Sequence, residues 1–261
     1  MILNRNTILP AAPAAKPVQY ALKALRRDFD RVFTDTAAPG GRILLTINDT
    51  LPAEQYTLTV DADTLLLSAA DDLGFVYGLF EISRRFLGVQ PFWFWNDQPF
   101  TVREGEKIPV GTVVESKSYK VKYRGWFVND ETLLSHWKVE RRANLPFVMA
   151  FETLLRLGGN MVIPGTGKNA VLYRRTAADM GLIITHHHAE PLGAEMFAQA
   201  YPDLEPMYSK YPEKFRALWQ AGIDAQKDMR VIWNIGFRGQ GDKPFWDDDP
   251  QYDLSLIHIS E

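Results

Sequence analysis

The feature that most restricts the fold is an alternation of strand-like and helix-like segments in the second half of the chain. Short apolar segments typical of buried strands are followed by segments whose apolar residues recur at helical spacing. The predicted strands span 120–129, 160–164, 182–185 and 231–237, and the predicted helices span 147–157, 169–180 and 213–227. This order predicts a parallel sheet with helices packed on it, in which functional loops follow the carboxyl ends of the strands.

The number of these units leaves two architectures open for residues 119–252. Four strand-helix units fill only half of a (β/α)₈ barrel, which typically takes about 250 residues. The segment is therefore predicted either as a small open sheet or as the first half of a barrel. In both cases the fold class is α/β.

The first half of the chain is predicted to form a separate, small α/β domain over residues 1–118. Apolar residues recur at helical spacing from Pro17 to Val32 and from Leu73 to Leu87. Turn residues separate three predicted strands, at 42–47, 55–60 and 64–69. The aromatic segment 91–99 favours a packed domain junction over a sugar-binding surface, because Phe and Trp dominate protein cores and interfaces.

Composition excludes several classes of protein. The 261 residues, 46% of them hydrophobic, are enough for two globular domains. The net charge of −3 gives no basic field for nucleic acid, and the apolar runs are too short to cross a membrane. Without cysteine there is no disulfide and no thiolate metal site. The N-terminal residues lack a signal-peptide pattern, so we expect a cytoplasmic protein.

Polar side chains cluster directly after the predicted strand 182–185. Three of the five histidines lie at 186–188, and Glu190 follows. If the strand continued, His186, His188 and Glu190 would share one face. Such a set could bind a catalytic zinc ion, although same-face positions about 6.6 Å apart converge poorly on one metal. We therefore expect no metal, with His188 as a hydrogen-bonding residue and one neighbouring histidine as a packed structural residue.

Two further polar groups follow predicted strands. Asp130 and Glu131 come after the strand 120–129, and Arg238 and Asp242 flank a glycine-rich loop after the strand 231–237. The acidic pair could equally cap the next helix. Arg238 and Asp242 could form an ion pair that pins the loop, although two glycines between them at a strand end favour a ligand site.

Four motifs, in this order and spacing, resemble glycoside hydrolase family 115, the xylan α-1,2-glucuronidases. They are PFWFWND at 91–97, YRGWFVNDE at 123–131, HHAEP at 187–191 and GFRGQGD at 236–242. The resemblance covers residues 7–252. It implies a small α/β domain followed by a (β/α)₈ catalytic barrel, here its first half. Family members continue for several hundred residues more, and we expect residues 253–261 to be a non-native tail.

The resemblance also implies an activity and roles for these residues. It implies inverting release of (4-O-methyl-)glucuronic acid from glucuronoxylan, without a cofactor, by proteins that can form homodimers at full length. Inverting enzymes place two carboxyl groups about 6.5–9.5 Å apart. We expect Asp242 and Glu190 to be catalytic. The expected substrate-binding residues are Asp130, Glu131, His188 and Arg238, with Arg238 holding the negative charge of glucuronic acid.

We expect the chain alone to be inactive. The resemblance implies a second essential Glu farther along the barrel, in a part that this chain lacks. An incomplete barrel would also expose an unpaired strand edge, which favours aggregation. Two other functions remain open. One is a metal-dependent hydrolase built on His186, His188 and Glu190, and the other is a non-catalytic carbohydrate-binding fragment.

Overall fold

The computed structural model describes residues 1–11, 15–134, 136–236, 238–240 and 243–252. It divides into two compact units. The first unit contains residues 1–125, 149–160 and 179–181. The second contains 126–148, 161–178 and the described residues from 182 onward. The predicted domain boundary between 118 and 119 stays a prediction, and the predicted tail, 253–261, lies outside the described residues.

The first unit contains a four-stranded sheet in the order β2-β4-β3-β6. Its strands are β2 (Arg42–Ile47), β3 (Tyr56–Asp61), β4 (Thr64–Ala69) and β6 (Val113–Glu115). Strand β2 pairs parallel with β4, and β3 pairs antiparallel with β4 and β6. Two shorter strands, β1 (Ile2–Leu3) and β5 (Glu106–Lys107), pair with each other. Predicted strands 42–47 and 64–69 are confirmed residue for residue.

Two helices of the first unit follow the predicted periodicity. Helix α1 (Lys16–Val32) starts with Pro17 in its first turn and buries the predicted apolar residues, including Leu25 and Phe29. Helix α2 (Asp72–Ile82) is capped by Asp71, whose side chain accepts a hydrogen bond from the Gly74 amide. The predicted helix 73–87 is not uniform, because its last turn, Ser83–Leu87, is π-helical.

A cluster of buried ion pairs lies inside the first unit. Arg156 donates to Asp28 at 2.5 Å and to Glu152 at 2.8 Å, and Arg27 donates to Glu152 at 2.6 Å. Ser83 also donates to Asp28. Burial disfavours the ionised form of Glu152, but Arg156 and Arg27 outweigh burial and hold the pKa of this carboxyl well below its usual range.

The second unit contains most of a three-stranded sheet in the order β7-β8-β9. The strands are β7 (Gly125–Phe127), β8 (Met161–Ile163) and β9 (Ile183–Ile184). Helix α3 (Leu145–Arg156) starts in this unit, but its residues from Met149 onward belong to the first unit. The other helices are α4 (Gly167–Asp179), α5 (Phe197–Ala200), α6 (Pro212–Asp224) and α7 (Phe245–Asp248). Short 3₁₀ turns lie at Pro191–Gly193 and Pro250–Tyr252. Strand β9 pairs parallel with β8, and Ile184 forms a parallel bridge with Val231. The predicted α/β class is confirmed, while the half barrel stays a prediction.

Two predicted strands are much shorter than expected. Residues 120–124 bend, because the Arg124 guanidinium binds the carbonyls of Val121 and Lys122. In the segment predicted as strand 231–237, the described residues form one bridge, at Val231. Asn234 there donates its side-chain amide to the His187 carbonyl, a loop contact. Within the described residues, no helix combines the length and hydropathy needed to span a membrane.

Candidate functional site

Two buried carboxyl groups meet the loop that follows strand β8. Asp130, 1% exposed, follows β7, and Glu190, 4% exposed, follows β9. One Asp130 oxygen accepts from the Thr166 amide at 2.8 Å, and one Glu190 oxygen accepts from the Gly167 amide at 2.5 Å. Consecutive backbone N–H groups of one loop therefore bind carboxyl groups delivered by the two flanking strands.

The local sequence makes this loop suitable for binding anions. Gly165 and Gly167 have φ of +136° and +53°, which glycine adopts without the strain that a side chain would cause. Helix α4 starts at Gly167, and the N–H groups in the first turn of a helix have no partner within the helix. Asn169, in the same turn, donates to the second Asp130 oxygen at 2.5 Å. Asp130 therefore binds groups at the start of α4, whereas the alternative role offered by the sequence was a cap on the next helix along the chain, which is α3.

The environment of Glu190 favours its protonated form. Burial, the largest influence, raises the pKa of Glu190 to about 7, and the negative charges of Asp130 and Glu131 act in the same direction. The Gly167 amide and the Arg174 guanidinium oppose this increase. The carboxyl group is consequently divided between its protonated and ionised forms near neutral pH, which is the condition that general acid catalysis requires.

The three histidines do not occupy the predicted positions. Strand β9 ends at Ile184, so the chain after it turns and the side chains stop alternating. His186 is buried, lies 2.9 Å from the Gln226 side chain and stacks on Trp233, whereas His188 is exposed and its ring contacts His187. Burial lowers the pKa of His186. The condition on which His186, His188 and Glu190 would share one face is therefore not met, because β9 ends before these residues.

The structure gives no support to a metal site at this position. In the part of the chain that the structure describes, no three His, Asp or Glu side chains are grouped closely enough to hold a metal ion. His186, one proposed ligand, instead bonds to Gln226. Gly193 packs directly against this histidine. A Cβ atom at position 193 would lie 2.5 Å from His186 Nε2, so a larger residue would not fit there without a shift. His186 therefore has the packed structural position that we expect for one histidine of the run.

The remaining predicted site residues differ in how far they are exposed to solvent. Glu131 is exposed and acts on Glu190 through its charge. Arg238 is half-buried and lines a small crevice together with Ala189 and Pro191, the neighbours of Glu190 in the chain. The structure therefore brings Arg238 to the segment that carries Glu190. Asp242, the predicted catalytic carboxylate, lies outside the described residues.

Sequence reasoning missed several residues that complete this cluster. Thr166, Gly167 and Asn169 hold the carboxyl groups, and Arg174 of helix α4 adds a cation close enough to influence Glu190. The Gly165-Thr166-Gly167 segment after a predicted strand was a visible signal of an anion-binding loop. Arg174 gave no comparable signal, because an Arg in a predicted helix is usually exposed to solvent.

Solved structures of other proteins share this fold. A family GH115 4-O-methyl-α-glucuronidase, BtGH115A, described as specific for decorated arabinogalactans, aligns with 100% of this chain at a TM-score of 0.72 and 21% identity. A chitobiase from Flavobacterium johnsoniae aligns at a TM-score of 0.55 and 15% identity, and a GH20 exo-β-N-acetylglucosaminidase from Vibrio harveyi at 0.54 and 11%. The chain covers 40%, 46% and 47% of these proteins, respectively, and all of its own length is matched each time.

Sequence comparisons address the family directly. A search of curated proteins found no significant match. The model of glycosyl hydrolase family 115 matches residues 116–258, a range that includes Asp130, Glu190 and Arg238. Because this match covers more than half of the chain, the protein belongs to glycosyl hydrolase family 115.

Proposed function

We propose that this chain forms part of a glycoside hydrolase that releases (4-O-methyl-)glucuronic acid from a polysaccharide with inversion of configuration. The main support for the proposal is that Asp130 and Glu190 accept hydrogen bonds from consecutive backbone amides of one loop. In this environment the pKa of Glu190 is raised to about 7. Strongly shifted carboxyl groups in a cluster of polar residues are typical of catalytic sites. Family membership indicates the reaction class.

Glu190 is the group best suited to proton transfer in this cluster. Hydrolysis of a glycosidic bond needs one carboxylic acid to protonate the leaving oxygen and one carboxylate to activate water. A carboxyl group with a pKa near the working pH can hold the proton and still release it in the transition state. We assign proton donation to Glu190. We propose that Asp242 acts in the activation of water together with the further essential Glu, which the resemblance implies lies beyond this chain.

Binding of the substrate's own carboxylate is assigned to Arg238. A guanidinium binds a planar carboxylate through two parallel hydrogen bonds, which fix its orientation as well as its charge. The half-buried position of Arg238, in a crevice beside Ala189 and Pro191, supports this role. We propose that Asp130 and Glu131 keep Glu190 protonated through their charges and that His188, exposed beside them in sequence, contacts the sugar.

We further propose that β7, β8, β9 and the strand position at Val231 are successive strands of a (β/α)₈ barrel. The parallel pairing of β8 with β9 and the parallel bridge between Ile184 and Val231 support this arrangement. The polar residues of the cluster follow these strands in order. Barrel enzymes place catalytic residues at the carboxyl ends of several strands in this way.

The polysaccharide that carries the glucuronic acid is open to direct test. The sequence motifs resemble those of xylan α-glucuronidases, whereas the solved structure of the same family is described as specific for decorated arabinogalactans. The chain spans 40% of the length of that protein. We favour glucuronoxylan, and the arabinogalactan serves as the competing substrate in the experiment.

The test combines binding and turnover. The 261-residue chain is titrated calorimetrically with glucuronic-acid-bearing xylo-oligosaccharides and with the matching undecorated oligosaccharides, and release of the acid is followed in parallel. The decorated arabinogalactan is titrated and assayed in the same way, and BtGH115A, which is described as specific for it, serves as the active reference on that substrate. We expect selective binding of the decorated oligosaccharide, weakened by Arg238→Gln, and no release of acid, because the family resemblance implies a further essential Glu.

Each other outcome has a definite meaning. Release at a rate similar to that of the reference would overturn the assignment of a missing carboxylate. Equal binding of decorated and undecorated oligosaccharides would contradict recognition of glucuronic acid and would favour a general carbohydrate-binding fragment. Binding restricted to the decorated arabinogalactan would replace xylan as the substrate.

A further inference from the structure

A second cleft lies entirely within the first unit, among residues that the proposed reaction does not use. Its volume is about 290 Å³, close to the lower end of the range of about 300–1,000 Å³ for small-ligand sites. Three tyrosines, Tyr56, Tyr77 and Tyr119, line it together with Phe80. This size suits one sugar ring or a short saccharide.

The aromatic side of the cleft is fixed in position. Tyr77 is buried and donates its hydroxyl to the Gly159 carbonyl at 2.9 Å, and its ring meets the edge of Tyr119 at 5.9 Å. The Arg124 guanidinium lies 3.7 Å from the centre of the Tyr119 ring. The hydroxyl of Tyr56 makes no hydrogen bond to any described residue. The cleft therefore presents preorganised aromatic surface and one unused hydroxyl, a combination suited to the apolar face and hydroxyl groups of a pyranose.

Cationic groups line the same cleft. Arg84 and Arg85 both bind the carboxylate of Glu81, and these contacts hold the two guanidiniums side by side. Arg85 uses only its Nε for this contact, so its two Nη groups have no partner among the described residues. Lys117, exposed at the rim, also forms no ion pair within the described chain. These spare donors provide a place for an anion.

The backbone that presents these arginines is itself unusual. Arg84 and Arg85 lie in the π-helical turn Ser83–Leu87, which follows α2 without interruption and ends at Gly88 with φ of +76°. Such turns occur frequently at functional sites, because they change the direction in which side chains leave a helix. The cleft is lined by Arg84, Arg85, Arg156 and Lys117 against Glu81 and Glu115, whereas the chain as a whole has a net charge of −3.

We propose that this cleft binds a uronic acid unit of an acidic saccharide. The tyrosine rings would pack against the sugar, and the Nη groups of Arg85, together with Arg84 and Lys117, would bind its carboxylate. The site would retain an acidic polysaccharide independently of the Asp130 and Glu190 cluster. Its existence does not depend on the reaction proposed for that cluster.

The test follows the signals of tyrosines that line this cleft. The 261-residue chain is labelled with ¹³C in its tyrosine rings, and sodium glucuronate is titrated in. The Tyr56 and Tyr119 signals are assigned from their absence in Tyr56→Phe and Tyr119→Phe. We expect saturable shifts of the Tyr56 and Tyr119 signals. The double variant Arg84→Gln/Arg85→Gln should weaken binding about tenfold or more, because charge-assisted hydrogen bonds to the carboxylate are lost.

Matched ligands and a matched variant make the result decisive. Arg42→Gln is the control, because Arg42 is 51% exposed and paired with Asp63, as Arg85 is 45% exposed and paired with Glu81. It should leave glucuronate binding unchanged. Equal affinity for glucose would overturn the role of the cations, and equal affinity for acetate would overturn recognition of the sugar. Binding that survives the double arginine substitution would place the ligand elsewhere and reject the proposal.

Discussion

The two units of this protein each bury a pair of carboxyl groups, but they stabilise the pair in different ways. In the first unit, Asp28 and Glu152 contact arginine guanidiniums at 2.5–3.0 Å. In the second unit, Asp130 and Glu190 accept hydrogen bonds from N–H groups of the loop after β8. Burial is similar, with all four residues at most 4% exposed. The difference lies in the charge of the partners.

Because the partners differ in charge, the pKa values of the two glutamates shift in opposite directions. Arginines hold the pKa of Glu152 below its usual range, whereas burial raises the pKa of Glu190 to about 7. A fully paired carboxylate is chemically inert and contributes to the structure. A carboxyl group with no full countercharge lowers the stability of the folded state above its pKa, and such a group can take part in proton transfer. The comparison assigns a structural role to the first pair and a chemical role to the second.

The largest effect we expect comes from breaking the paired cluster. Arg156→Met leaves Asp28 and Glu152 buried with one cation fewer, and removing one partner of a buried ion pair typically costs about 3–5 kcal/mol. The side chain of Arg156 is 2% exposed, so solvent screens little of this loss. The free energy of unfolding in urea, followed by circular dichroism, measures the effect.

An exposed pair provides the control for this substitution. Arg175 and Asp228 have side chains 46% and 62% exposed, and Arg175→Met should change the free energy of unfolding by less than about 1 kcal/mol. If Arg156→Met were no more destabilising than Arg175→Met, the buried cluster would not have the structural role assigned to it.

The second effect concerns the pH dependence of stability. The folded-state pKa of Glu190, about 7, lies above its ordinary value of 4.5, so the folded state binds the proton more tightly than the unfolded state. This contribution to stability is complete below about pH 4.5 and is lost as the pH rises through 7. At about 1.4 kcal/mol per pKa unit, the loss amounts to about 3 kcal/mol. Glu190→Gln should remove this pH-dependent loss of stability.

Unfolding by guanidinium chloride at several pH values between 5 and 8 measures this effect. The Glu190→Gln variant should lose less stability over this range than the unsubstituted protein. The control is Glu195→Gln, since Glu195 is exposed and near in sequence. It should retain the original pH dependence. Parallel curves for Glu190→Gln and the unsubstituted protein would show that Glu190 titrates normally.

The regular elements of both units could be predicted because each depends on local periodicity. Strands β2 and β4 and helix α1 combine apolar spacing with clear turn or proline signals, and their observed limits agree with the prediction. The ion pair between Arg156 and Asp28 could not be predicted, because it joins residues 128 positions apart. No local pattern distinguishes these side chains from exposed ones.

The candidate site was predictable only in part, for a related reason. Asp130 and Glu190 were found because polar residues follow apolar strands. The groups that bind them are backbone amides of Thr166 and Gly167, which every residue except proline possesses and which therefore leave no signature in the sequence. The orientation of the histidines could be given only conditionally, because the length of a strand depends on its neighbours, and β9 ends at Ile184.

The smallest effect we expect tests whether the two carboxyl groups of the second unit influence each other. Asp130→Asn removes a negative charge but keeps an oxygen that can accept from the Thr166 amide. Its new NH2 group faces Asn169, whose side-chain amide can turn over and accept instead of donate, so the loop should retain its conformation. Because the charge of Asp130 raises the pKa of Glu190, this substitution should lower that pKa. Burial remains the larger influence and is unchanged, so the decrease should be only part of the total shift. Titration of the Glu190 carboxyl by ¹³C NMR measures it.

Glu131→Gln is the matched comparison, because Glu131 also raises the pKa of Glu190 but is exposed and ranks below Asp130 among the influences on it. Water screens an exposed charge more strongly than a buried one, so Glu131→Gln should lower the pKa of Glu190 less than Asp130→Asn does. The reverse order would mean that the exposed residue is the closer partner of Glu190. An unchanged titration in both variants would leave burial alone as the cause of the raised pKa, and the two carboxyl groups would then be neighbours without electrostatic coupling.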